Sequence, residues 1–64
     1  MNPATEITAS NIRRHREAVG LSREGLAYKA GLSIKTIERI EGGKNEPRRA
    51  TLAVISRVLV EEGA

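Results

Sequence analysis

Sixty-four residues with a net charge of +3 and no cysteine make a single domain, marginal by itself, with no disulfide or thiolate-bound metal to stiffen it. With no Phe or Trp and a single Tyr, the core has to be built from Ile, Leu, Val and Ala. No apolar run approaches about 18 residues, which excludes a membrane-spanning helix, and no hydrophobic signal segment opens the chain, so a cytoplasmic location is expected. The charge is unevenly spread: ten of the eleven Lys and Arg residues fall between Arg13 and Arg49. A basic body of this kind is the electrostatic footprint of a phosphate-binding surface, though a solvated basic exterior has the same composition. One histidine, no phosphate loop and no metal-ligand cluster leave little from which to build an enzyme. No metal, cofactor or small-molecule ligand is expected.

In chain order, residues 1–8 read as a flexible arm, with Ile7 as its candidate for docking on the domain. The arm carries Glu6 and no cation, which argues against a minor-groove role. The first helix is expected from about Ala9 or Ser10 to Val19, with Ile12 and Val19 facing inward and Gly20 as its stop. The second runs from about Arg23 to Ala30. Ser22 caps it, without a full capping box because Gly25 stands where Glu or Gln would complete one. Leu26, Ala27 and Ala30 form its buried stripe. Gly31-Leu32-Ser33 then makes a tight turn: Gly31 takes a positive backbone angle at little cost, and Leu32 drops between the helices.

The third helix is expected over Ile34–Glu41, capped by Ser33 and stopped by Gly42 and Gly43. At about 100° per residue, Ile37 and Ile40 fall on one side, and Lys35 and Arg39 point roughly the opposite way. Ile34, Thr36 and Glu38 lie on the flanks. A polar loop follows, Lys44-Asn45-Glu46-Pro47-Arg48-Arg49. The last helix runs from about Ala50 or Thr51 to Leu59 or Val60. Leu52, Ile55 and Leu59 are its core stripe, and Val54, Val58 and Val60 an apolar strip for a second subunit. The domain thus covers residues 9–60, with 61–64 as a short tail. Two short helices joined by a glycine-containing turn are the helix-turn-helix pattern.

The stretch from Leu21 to Leu52 resembles the lambda-repressor/Cro-like, XRE-type helix-turn-helix regulators of bacteria and phages. The matching elements are Leu21-Ser22, Leu26-Ala27, Ala30-Gly31-Leu32-Ser33, Thr36-Ile37 and Ile40-Glu41, then Gly43, Pro47 and Leu52. The resemblance implies an all-α fold, a compact bundle of four to five helices. It implies a sequence-specific transcriptional regulator that binds double-stranded DNA with the helix at 34–41 in the major groove, on the nucleoid. A homodimer, formed in solution or on DNA, is part of that expectation. The alternative is a protein-interaction or antitoxin-like module using the valine strip.

Residue by residue, Arg16 matches a family arginine that pairs with the glutamate after the recognition helix's last aliphatic residue, here Glu41. A glutamate at a helix C-terminus is disfavoured by the helix dipole, so it needs such a partner. Arg39 is the expected base reader, since a guanidinium can bind guanine O6 and N7 together. Lys35 reads guanine or holds a phosphate. Ile34 stands where relatives often carry a polar reader, and either touches a thymine methyl or packs. Thr36 meets a phosphate or a methyl, and Ser33 belongs to the same helix end. Arg23 clamps a phosphate beside the amides of its helix, and Lys44, Asn45, Arg48 and Arg49 contact the DNA backbone. Tyr28 faces outward, as a stacking group or a plain surface residue. His15 takes a position usually held by a large aliphatic. It is expected at the bundle edge with one ring nitrogen hydrogen-bonded, and because it takes a core slot, charging it is expected to loosen the bundle.

Overall fold

The turn that joins the second helix to the third determines how they meet. Gly31 sits at φ 69° and ψ 31°. Its N–H donates to the Tyr28 carbonyl at 3.2 Å, and the Leu32 N–H reaches back to the Ala27 carbonyl at 2.9 Å. This pair of bonds satisfies the last carbonyls of the helix and reverses the chain. A Cβ at Gly31 would meet nothing within 4 Å, so the demand for glycine is one of backbone angle alone. Gly31→Ala is therefore expected to lose about 1–2 kcal/mol, the left-handed penalty of an L-residue. Chemical denaturation measures it, and an unchanged midpoint would mean the turn can relax.

The computed structural model describes residues 7–44 and 46–63. It contains four helices: α1 (Ile12–Ala18), α2 (Arg23–Ala30), α3 (Ile34–Glu41) and α4 (Arg49–Glu61). There is no strand among the described residues, and α2 packs on both α3 and α4. The fold is all-α, with four helices among the described residues. Side-chain caps open two of them: Ser22 Oγ accepts from the Gly25 N–H at 2.9 Å, and Ser33 Oγ from the Thr36 N–H at 3.2 Å.

Three boundaries differ from the sequence expectation. Helix α1 starts at Ile12 rather than Ala9 or Ser10, because Thr8 and Asn11 close a turn ahead of it. The Thr8 N–H donates to Asn11 Oδ1 at 2.8 Å, and the Asn11 N–H donates to the Thr8 carbonyl at 3.1 Å. Helix α4 starts one or two residues early, at Arg49, directly after Arg48 in extended conformation. It runs on to Glu61, since no glycine interrupts it before Gly63. Helix α3 is stopped by Gly43, at φ 70°, whereas Gly42 stays right-handed at φ −80°.

The core consists of Ile7, Ile12, Leu26, Ala27, Ile37, Ile40, Ile55, Val58 and Leu59, with Ala9, Val19, Leu21, Ala30 and Leu32 packed around it. Ile7 thus belongs to the bundle, while residues 1–6 of the expected arm lie outside the described residues. Two assignments on α4 are corrected. Val58 is buried, at 6% exposure, and Leu52 is only half-buried. Counting from Ile55, the buried stripe runs by steps of three and four to Val58 and Leu59. Leu52 lines a surface groove with Thr8 and Pro47 instead. The supposed valine strip is thereby reduced to a half-buried Val54 and Val60 at 52% exposure. His15 is half-buried and is not one of the core residues. Lying outside the core, it does not fill the slot on which the expected effect of its charge rested, and no hydrogen bond to its ring is found among the described residues.

Candidate nucleic-acid interface

Helix α3 is held from one side and open on the other. Ile37 is 0% exposed and Ile40 3%, anchoring the helix against α2. Lys35 and Arg39, one turn apart, are both exposed on the opposite side. Among the described residues neither joins an ion pair. Ile34 remains 38% exposed at the first turn. Ser33 and Thr36 spend their hydroxyls on each other, at 2.9 Å, and Thr36 is half-buried. The pair caps the helix as well as bordering the open face.

The loop before α4 extends that face. Arg39 and Arg48 line one groove of about 290 Å³, together with Glu46, Pro47 and Thr51. Lys44 joins Lys35, Glu38 and Arg39 around another of about 260 Å³. The structure therefore brings Lys35, Arg39, Lys44 and Arg48 to one side of the molecule. Arg49, the first residue of α4, is exposed but lines neither groove. Asn45 lies outside the described residues. Sequence reasoning gave no role to Glu38 and Glu46. Both are exposed and line these grooves, tempering the positive field and narrowing what the surface accepts. Tyr28, at 89% exposure, projects from α2.

Glu41 ends α3 and ties three helices together. Arg16 on α1 approaches it with two prongs, Nε to Oε2 at 2.7 Å and Nη2 to Oε1 at 3.1 Å. The remaining prong, Nη1, donates to the Leu21 carbonyl at 2.8 Å. The side chains of Arg16 and Glu41 are 8% and 3% exposed. From the start of α2, Arg23 Nε also donates to Glu41 Oε1, at 3.1 Å. Burial pushes the Glu41 carboxyl up, but the hydrogen bonds from Arg16 and Arg23 outweigh it and hold the group below its ordinary value. The hydrogen bond to Glu41 raises Arg16 in turn, against the opposing effect of its own burial.

The Arg23–Glu41 bond was not legible in advance. The two residues are 18 apart in sequence, and no local spacing signals their meeting. Arg23 is 43% exposed, and its two Nη groups make no hydrogen bond among the described residues. The guanidinium is thus oriented by Glu41 while keeping donors for an anion.

Among the described residues no group of three or more metal-ligating side chains converges, and no helix is long and apolar enough to cross a membrane. The family model for a helix-turn-helix domain matches residues 9–61, nearly the whole chain. No curated protein and no solved structure matches it significantly. With the two capped helices, the glycine turn between them and a match that spans α1 to α4, the chain belongs to the helix-turn-helix domain family, a class of DNA-binding modules.

Proposed function

We propose that the chain is a sequence-specific regulator of transcription, of the repressor or Cro-like kind, that reads duplex DNA with α3 in the major groove. The observation that carries this reading is the exposed row of Lys35 and Arg39, free of ion pairs among the described residues, on a helix whose opposite side is buried. Residues near the N-terminal end of a recognition helix meet base edges, which favours Ile34, Lys35 and, one turn on, Arg39. Arg23, Lys44, Arg48 and Arg49 are the phosphate contacts, which position the protein without reading sequence. A single copy covers one half-site. Two copies on sites about one helical turn apart are the expected arrangement, acting on the nucleoid in the cytoplasm.

Selection from a random duplex library tests the reading. The expected result is one enriched motif, whose symmetry gives the number of copies bound. No enrichment at about 50 mM salt, where phosphate contacts are strong, together with a salt-insensitive protein complex, would favour the interaction module. The burial of Val58 counts against the valine strip as that module's surface. Arg49→Ala is expected to weaken all duplexes alike and to reduce the slope of log affinity against log salt by about one. A titration of binding against salt concentration measures it. A loss confined to the selected site would move Arg49 to the base readers.

A further inference from the structure

Helix α3 opens on an aliphatic residue that the core does not absorb. Ile34 keeps 38% of its surface exposed, against 0% for Ile37 and 3% for Ile40. Helical geometry accounts for the difference. Ile34 lies about 60° round from Ile37 and about 120° from Ile40, at the margin between the anchored side and the cationic one. There it lines a shallow groove with Arg13, Arg23 and Glu38, and Lys35 is the next residue. A lone exposed isoleucine is ordinary on a protein surface. Its place is what matters here, because the first residues of a recognition helix are those that reach base edges.

Ile34 offers no donor and no acceptor. Set against a polar base edge, it would strip water from that edge and return no hydrogen bond, which is unfavourable. Among the four unmodified bases, the major groove presents one apolar group large enough to pack on Ile34, the C5 methyl of thymine. The same methyl sits at the same carbon in 5-methylcytosine, and unmethylated cytosine lacks it.

We propose that Ile34 reads a pyrimidine C5-methyl group, so that the domain prefers thymine or 5-methylcytosine to unmethylated cytosine at one step of each half-site. Binding at a site with cytosine there then responds to DNA methylation. The inference rests on the DNA-binding reading above and adds to it a defined chemical group and a named residue.

The test uses the duplex recovered by selection. Each thymine is replaced singly by uracil, which removes the methyl and nothing else. One thymine per half-site is expected to weaken binding by about three- to fivefold when so replaced, the worth of one methyl group withdrawn from water. At that step a 5-methylcytosine–guanine pair is expected to bind better than cytosine–guanine by a similar factor. In Ile34→Ala the uracil replacement no longer matters there, while salt-dependent binding persists. In Ile34→Gln the preferred base at that step becomes adenine, which an amide binds through N6 and N7. Circular dichroism establishes that both variants fold. The proposal is overturned if no uracil replacement changes affinity, or if the loss is as large in Ile34→Ala as in the parent. A protein that selects no duplex overturns the DNA-binding reading and this inference with it, so the two failures are told apart.

Discussion

Arg16→Ala is expected to unfold the domain rather than merely to loosen its hold on DNA. The variant leaves Glu41, 3% exposed, without its two-pronged partner and frees the Leu21 carbonyl that Arg16 also binds. Removing one member of a buried ion pair costs about 3–5 kcal/mol at the fully buried limit. That is a large part of what a domain of this size has, since whole proteins are stable by roughly 5–15 kcal/mol. A circular dichroism melt reads the outcome directly. A variant that melts like the parent would show the pair to be dispensable. Arg23→Ala is the control. It removes only the outer bond to Glu41, from a residue 43% exposed, and leaves both bonds from Arg16 in place, so the loss is expected to be far smaller than in Arg16→Ala. It should melt close to the parent while binding DNA more weakly.

The same site sets a pH dependence. The folded Glu41 carboxyl lies below its ordinary value, so the unfolded chain takes up the proton first as pH falls. Its contribution to stability is complete above the unfolded value of about 4.3. That contribution is lost as pH drops from there through the folded value. The parent should therefore lose stability on acidification below that point. Glu41→Gln, less stable to begin with, should lose less over the same range.

Arg39→Ala is expected to relax sequence preference while leaving the fold intact. Arg39 is exposed and outside every ion pair among the described residues, so no structural bond goes with it. A bidentate arginine–guanine contact is worth about 1–3 kcal/mol of discrimination, a loss of up to about a hundredfold on the preferred site. Non-specific duplex should be held nearly as well as before. Competition between the selected site and random duplex measures the ratio. A uniform weakening on both would make Arg39 a phosphate contact and leave base reading to Lys35 and Ile34.

Much of this is legible in the sequence because the decisive signals are local. Ser22 and Ser33 each supply an oxygen to an amide three residues on, and Gly31 stands where the chain must turn left-handed. Ile37 and Ile40, three apart, place the inward side of α3 without reference to any other helix. The rest depended on how elements meet. Val58 and Leu52 both fit a helical period with Ile55, and only the seating of α4 on α2 decides which one is buried. The start of α1 was hidden because Asn11 uses its side chain backward, on Thr8, where a cap would use it forward. The Arg23–Glu41 bond joins the start of one helix to the end of the next, a proximity that exists only in the folded molecule.

The Glu41 side chain is nearly buried, at 3% exposure, yet it ties α3 to both α1 and α2. A genetic screen for lost DNA binding should therefore return changes at Arg16 and Glu41 alongside changes at Lys35 and Arg39, alike at any single temperature. Temperature separates the two kinds. The first group should recover partial activity in the cold, where a weakened bundle is again populated, and the second should be equally defective at every growth temperature.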